Sequence, residues 1–308
     1  MPADLAAGAG AGARGAIGAR LDEPAAIGQD AGMIDRDRPT GEPLDAALDA
    51  LARRVLGLRR ERGARILVGI AGSPGSGKTT LATALVARLN AVLVDASSAE
   101  DAGADAVTAD GGSAAGGGAR AVHLPMDGFH LANSTLDRLG LRDRKGAIET
   151  FDGWGFLALL DRVRAETDRV VYAPSFERTV DEPVAGEIAI GPEASIVVVE
   201  GNYLLVDDGA DGDAAVGGGA ADAQPGAVGG GPWARVRDRL DESWFCATDA
   251  EERERRLIER HTRFGRSAQA ATAWAREVDG ANAVRIEASR SRADLVVSGV
   301  TRRILPRA

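Results

Sequence analysis

The sequence predicts an α/β fold, a three-layer α/β/α arrangement with a mainly parallel sheet and a helical lid, and three stretches carry that prediction. Residues 72–80 read GSPGSGKTT, and Gly72, Ser73, Pro74, Gly75, Ser76, Gly77, Lys78 and Thr79 fit G-x-x-x-x-G-K-[ST] without a mismatch. Ile66, Leu67, Val68, Gly69 and Ile70 precede this loop as a buried strand, and Leu81, Ala82, Leu85, Val86 and Leu89 follow it at helical spacing. Ser195, Ile196, Val197, Val198 and Val199 form a second continuous apolar run, as in a parallel strand buried on both faces, and it ends at Glu200. Residues 251–266 read as a charged helix with a surplus of arginine: Arg255, Arg256, Arg260, Arg263 and Arg266.

A strand, a glycine loop and a helix in that order are the setting of the phosphate-binding loop of a P-loop NTPase. Glycines let successive backbone N–H groups turn toward one phosphate chain. The helix N-terminus adds partial positive charge. Lys78 is expected to reach the β- and γ-phosphates of ATP, and the Thr79 hydroxyl to sit on Mg²⁺. Thr80 is assigned to the same nucleotide site. The alternative, a glycine-rich turn that imitates the pattern, does not account for the flanks.

Length and composition set the frame. The 308 residues allow one large domain or two small ones, and 44% apolar residues suffice for a core. Forty glycines exceed what compact structure needs, so some segments are loose. A net charge of -9 argues against a general nucleic-acid binder but leaves room for a local basic pocket. Cys246 is the single cysteine and cannot form an internal disulfide, which fits a reducing cytoplasm. No apolar run approaches membrane-spanning length, and the start of the chain lacks a signal-peptide layout, so a cytoplasmic location with no membrane partner is expected. His123, His130 and His261 are scattered without zinc spacing, and Cys246 reads as packed rather than nucleophilic.

In chain order, residues 1–42 read as a disordered leader, and 43–308 as one P-loop domain. Leu44, Ala47, Leu48, Leu51, Val55 and Leu58 mark an amphipathic helix, with Arg53, Arg54, Arg59, Arg60 and Arg62 as a solvated face. A short apolar run, 91–94, follows the loop's helix. Low-complexity insertions are expected at about 95–119 and 208–231, in surface loops and without chemistry. Residues 121–125 read as a strand, 156–163 as a helix with Phe156, Leu157, Leu159, Leu160 and Val163 buried, and 170–172 as a strand out of which 173–178 lead. Residues 233–240 read as a helix and 242–246 as a strand. Val284, Arg285 and Ile286, then Leu295, Val296 and Val297, are two short apolar runs in the tail.

Several residues fall where chemistry is expected. Ligands of open α/β sheets bind at the carboxyl ends of strands. Asp127 follows the strand 121–125, so its carboxylate could take a proton from an attacking hydroxyl or merely cap the next helix. Arg178 could hold a substrate phosphate or carboxylate, or pair with a surface acid. Glu200, at the end of a central strand, is the expected Mg²⁺ partner of Thr79. In 251–266, Glu252 with Arg256 and Glu259 with Arg263 fit ordinary i,i+4 pairs. The surplus arginines fit a lid that closes on phosphates, with Gly265 as hinge.

Taken together, GIAGSPGSGKTTLA, PMDGFHLAN, RKGAIETFD, VYAPSFER, VVVEGNYLLV and RRLIERH resemble the phosphoribulokinase, uridine kinase and bacterial pantothenate kinase superfamily. The likeness is strongest to bacterial nucleoside/nucleotide kinase family proteins described as fructose transport system kinases, and it covers about residues 62–300 apart from the insertions. It implies transfer of the ATP γ-phosphate to a hydroxyl of a small metabolite, a nucleoside, pantothenate-like or sugar acceptor. It further implies Asp127 as base with Lys78 as the other catalytic residue, Thr79 and Glu200 at the metal, and Arg256 and Arg260 as lid arginines on the nucleotide. Asp127, Phe129, His130, Phe151, Arg178 and Tyr203 fall to the acceptor side, with residues 149–152 lining its pocket. The expected partners are that acceptor and a second copy in a homodimer, not nucleic acid. The competing reading is a nucleotide-hydrolysing switch acting through a partner, although no N-K-x-D base-reading loop is found. An inactive relative kept as a binding module is disfavoured by the intact Lys78, Thr79, Asp127 and Glu200 set.

Overall fold

The computed structural model describes residues 44–101, 119–208 and 230–306. The expected leader and most of both insertions lie outside the described residues. Helix α1 (Leu44–Arg62) buries Ala47, Leu48, Leu51, Ala52 and Val55 at the spacing read from the sequence. Its arginines are not all solvated: Arg54 Nε donates to Glu242 Oε1 at 2.7 Å. Strand β1 (Ile66–Ala71) is buried throughout and runs into the glycine loop and helix α2 (Lys78–Asp101). The helix does not stop near residue 91 but runs on through the apolar stretch 91–94 to Asp101. The insertion expected from about 95 therefore begins as helix.

Strand β2 (Arg120–Pro125) leads into a 3-10 turn (Met126–Phe129). Helices α3 (Asn133–Leu139) and α4 (Gly153–Ala165) follow, the latter capped by Asp152, which accepts from Gly155 N. Strands β3 (Val171–Glu177) and β4 (Glu182–Ile190) then form a separate antiparallel pair. This hairpin departs from the sequence reading, which let 173–178 lead out of a strand and saw no partner. Pro183 and Gly186 within β4 read as breakers, yet a two-stranded ribbon tolerates both because each strand is an edge.

Strand β5 (Ala194–Gly201), helix α5 (Pro232–Val236), strand β6 (Glu242–Ala247), helices α6 (Ala250–Arg263), α7 (Ala268–Trp274) and α8 (Gly280–Ala288), and strands β7 (Leu295–Ser298) and β8 (Ile304–Leu305) complete the chain. The two tail runs thus divide, one into α8 and the other into β7. A π-helical turn (Ala275–Asp279) joins α7 to α8. The main sheet has the order β2-β5-β1-β6-β7-β8 and is parallel except for β8.

Strand alternation divides the core into the two faces of a three-layer fold. Ile66, Val68 and Ile70 of β1 and Ile196 and Val198 of β5 pack with Leu51, Leu81, Leu85 and Leu89 of α1 and α2. Leu67, Val197 and Val199 point the other way, onto Phe156, Leu160 and Val163 of α4 and Trp233 of α5. Phe156 is fully buried, its ring 5.1 Å from Phe129 and 5.8 Å from Trp233. Phe156→Ala should cost about 3–5 kcal/mol of stability, read from the shift in a denaturant-unfolding midpoint. No helix among the described residues is long and apolar enough to cross a membrane.

Candidate active site

The sheet topology brings the chemistry-bearing residues to one edge. The phosphate loop leaves the carboxyl end of β1, Glu200 lies in register with Ile70 on β5, and Pro125 of β2 lies in register with Glu200. Asp127 follows Pro125 directly, on the 3-10 turn. Three neighbouring strand ends thus present a loop, an acid and a second acid side by side.

The loop is fixed from beneath. Gly75 and Gly77 have φ of +77° and +91°, a region that favours glycine. A Cβ at Gly77 would also lie 2.9 Å from the Gly299 carbonyl oxygen. The Ser76 carbonyl accepts from Thr248 Oγ1 at 2.8 Å and from Cys246 Sγ at 3.3 Å. Burial pushes the Cys246 thiol up to about 11, so it stays protonated and supports the loop rather than attacking anything. Ser73 Oγ donates to Glu287 Oε1 at 2.6 Å. Ser76 Oγ is buried without a hydrogen-bond partner among the described residues.

Glu200 is 3% exposed. Thr79 Oγ1 donates to its Oε2 at 3.0 Å, while Lys78 Nζ lies 3.7 Å from Oε1 and His123 Nε2 lies 3.7 Å from Oε2. A hydroxyl and a carboxylate beside a phosphate loop are the hard oxygen donors that suit Mg²⁺. The donor set and the glycine cradle therefore fit a metal-bound triphosphate.

Asp127 faces the same space. Arg178 Nη2 lies 3.5 Å from its Oδ2. Desolvation pushes the carboxyl up, but the charges of His130, Lys78, Arg178 and Arg260 outweigh it and hold Asp127 below the usual carboxylate range. His130 Nδ1 sits 2.7 Å from the Asp127 carbonyl oxygen, which can only accept, so Nδ1 carries the proton. Burial lowers the His130 pKa, while the Asp127 carboxylate and the hydrogen bond to the Asp127 carbonyl work to raise it. The ring lies against Phe151 and Phe176, at centroid distances of 4.0 and 4.7 Å.

Helix α6 supplies the arginines. Arg256 Nε donates to Glu252 Oε1 at 2.7 Å, and its Nη1 donates to the Gly75 carbonyl at 3.4 Å. Glu252 is held down to about 2, chiefly by its hydrogen bond to Arg255. Arg263 pairs with Glu259 at 3.0 Å. Arg260 points into the cleft instead, and its pKa is lowered by burial. Gly265, just past α6, has φ +95°.

A cleft of about 410 Å³ joins these parts. Pro74, Lys78, Thr79, Asp127, His130, Arg178 and Arg260 line it. Gly72, Ser73 and Ser76 are buried under the loop. Thr80 is exposed on the first turn of α2, away from the cleft lining. Three residues assigned to the acceptor are not in the lining. Phe129 packs against Phe156, and Phe151 contacts Tyr203 and Trp233. Tyr203 is fully buried and donates its hydroxyl to the Gly146 carbonyl at 2.6 Å. These aromatic rings are large enough to fill core, and they do so behind the residues that face the cleft.

Other lining residues were not assigned from the sequence. Lys145 is 8% exposed, donates to Asn133 Oδ1 at 2.6 Å and pairs with Asp181 at 2.9 Å. His261 pairs with Asp279 of the π-helical turn at 2.8 Å. Asn202 follows β5 with a buried Oδ1 that has no hydrogen-bond partner among the described residues. The sequence signals were present, RKG at 144–146 and N after the strand-end EG, but only the hairpin and the π turn show that they converge.

No protein-family profile matches the chain. Similarity to individual proteins is clear. A crystal structure from Silicibacter sp. TM1040, provisionally named a fructose transport system kinase, is 34% identical with a TM-score of 0.60, over 81% of this chain and 98% of that one. An ATP-dependent kinase-like protein of Aspergillus versicolor is 32% identical over 147 residues, 46% of this chain and 73% of its own. A protein of Schizosaccharomyces pombe provisionally named uridine kinase is 34% identical over 166 residues, 53% of this chain. The match spans 60% of that relative's own length. With the loop, the strand-end acids and the arginine-bearing helix in one cleft, these likenesses establish that the chain belongs to the P-loop kinases of the phosphoribulokinase, uridine kinase and bacterial pantothenate kinase superfamily.

Proposed function

We propose that this protein transfers the γ-phosphoryl group of ATP to a hydroxyl of a small metabolite. One observation carries the reading: Asp127, an ionised carboxylate, shares a cleft with Lys78 and Arg260 rather than capping a helix. The helix that follows it, α3, has Ala132 at its N-cap position instead. A switch that only hydrolyses nucleotide has no need of an acid set among cations in a phosphate cleft extended by the hairpin.

The loop amides and Lys78 grip the phosphate chain, and Arg256 braces the loop through Gly75. Thr79 and Glu200 would hold Mg²⁺, which supplies charge neutralisation on the phosphates when bound. Asp127 accepts the proton of the acceptor hydroxyl, and that oxygen attacks the γ-phosphorus. The bond to the β–γ bridging oxygen breaks, and ADP leaves. Arg260, in the cleft lining and within the field of Asp279, Asp127 and Glu200, stabilises charge on the transferring group. His130, beside Asp127 in the cleft lining, can hydrogen-bond a second hydroxyl of the acceptor through Nε2.

The test is ATP consumption by the purified protein with Mg²⁺ against nucleosides, pantothenate, sugars and sugar phosphates. One compound should raise the rate and appear phosphorylated by mass spectrometry. A slow rate that no compound raises would favour the switch reading.

A further inference from the structure

Glu200 is a nearly waterless carboxylate with few protein partners. The Thr79 hydroxyl donates to Oε2 at 3.0 Å, and Lys78 Nζ lies 3.7 Å from Oε1. An ionised carboxylate can accept about four hydrogen bonds. The Thr79 bond is the one made to Glu200 among the described side chains. Lys78 opens α2 directly after the phosphate loop, so it is also the group that a bound triphosphate draws away. Once Lys78 engages phosphate, the buried anion is left with one hydroxyl donor while it has to keep its direction toward a metal ion. Taking one partner from a buried charge is costly unless another group replaces it.

The register of the sheet supplies that group. His123 of β2 pairs with Val198 of β5, and Pro125 pairs with Glu200. Residues two apart on a strand share a face, so His123, Val198 and Glu200 project to the same side. Val198 packs with Leu81 and Leu85 of α2, which makes this the side that carries Lys78 and Thr79. Leu124, the next residue of β2, belongs to the opposite core.

His123 Nε2 lies 3.7 Å from Glu200 Oε2, the oxygen that Thr79 already holds. It is buried and has no hydrogen-bond partner among the described residues. The separation is too long for a hydrogen bond. An orphaned ring nitrogen and an under-used carboxylate oxygen therefore face each other across a gap that a rotation of either side chain closes. Neither residue lines the cleft, so His123 is not placed to touch nucleotide or acceptor.

On the kinase reading above, we propose that His123 is a positioning residue for Glu200. With nucleotide and Mg²⁺ bound, its Nε2–H donates to Oε2 and takes over from Lys78 in fixing the carboxylate for the metal ion. The imidazole itself touches neither the metal ion nor the transferring group. Outer hydrogen bonds of this kind orient a ligating carboxylate, and their loss typically costs about ten- to a hundredfold in metal affinity.

Two amide substitutions separate this role from packing. A glutamine amide reaches about as far as imidazole Nε2, whereas an asparagine amide stops near Nδ1. Both are polar, at a side chain that is 22% exposed, so both variants should fold. Calorimetry with a non-hydrolysable ATP analogue, in Mg²⁺ and in chelator, gives the factor by which the metal tightens nucleotide binding. His123→Asn should cut that factor about tenfold or more and leave the metal-free affinity unchanged, while His123→Gln keeps most of it. An unchanged factor in His123→Asn would overturn the inference. So would an equal loss with and without metal, the mark of a structural side chain. Equal loss of the factor in both variants would put the imidazole on the metal itself and overturn the positioning role. A native protein whose binding ignores Mg²⁺ would overturn it as well. Each of these outcomes leaves nucleotide-dependent transfer standing, and only a native protein that binds no nucleotide removes both readings.

Discussion

Asp127→Asn should bind nucleotide normally and lose about a hundred- to ten-thousandfold in kcat, the range set by removing a positioned general base. The substitution preserves shape. The asparagine amide can still lie beside Arg178, 3.5 Å away in the native protein, but it cannot take a proton. Nucleotide affinity should change little, because the phosphate loop gets its geometry from β1, Thr248 and Cys246 rather than from the turn after β2. The measurement is a pair: single-turnover transfer with an active acceptor, and nucleotide binding by calorimetry. Unchanged turnover would remove Asp127 from the chemistry. The pH profile gives a second reading. Surrounding cations hold Asp127 below the usual carboxylate range, so it stays a competent base as pH falls, and the acid limb of its rate profile should lie below that range.

Lys78→Met should reduce kcat by about a hundred- to a thousandfold, the loss typical of removing one group aimed at developing charge. Unlike Asp127→Asn, it should also weaken ATP binding, since the proposed role puts Lys78 on the phosphates before and during transfer. A local consequence follows from the structure. Lys78 Nζ is 3.7 Å from Glu200 Oε1, and Glu200 is almost fully buried. Without the ammonium, that carboxylate keeps the Thr79 hydroxyl at 3.0 Å and His123 Nε2 at 3.7 Å. The variant should therefore show a lowered unfolding midpoint as well as lowered activity, and added divalent cation should restore the midpoint more than it does in the native protein. Full activity in Lys78→Met would contradict the phosphate role of the loop.

The linear order of residues determined much of this. The eight-residue loop motif needs backbone amides, a cation and a hydroxyl in immediate succession, so its whole chemistry is local and legible as spelling. The same holds for the buried strands, because β1 and the run 196–199 of β5 carry no polar side chain. Asp127 and Glu200 were readable as candidates because strand ends are where an α/β sheet places its ligands. Helix α6 showed its ion pairs through i,i+4 spacing, and Glu252 with Arg256 and Glu259 with Arg263 form as read.

Only the tertiary structure decided which side chains share the cleft. Phe151 and Tyr203 belong to motifs that resemble acceptor-lining segments, yet their rings are turned into the aromatic core around Trp233. Side-chain direction depends on which face of a turn meets the sheet, and no local pattern records that. Lys145, Asp181 and Asp279 were passed over for the opposite reason. Each lies in a charged or polar stretch that reads as surface. They reach the cleft because β4 pairs with β3 despite its proline, and because the helix after Trp274 widens into a π turn. Long-range pairing and helix irregularity are set by contacts between distant parts of the chain. The sequence thus determined the phosphate-binding loop and its strand-end acids, and the packing of a hairpin and a helix around Asp127 decided what surrounds that carboxylate.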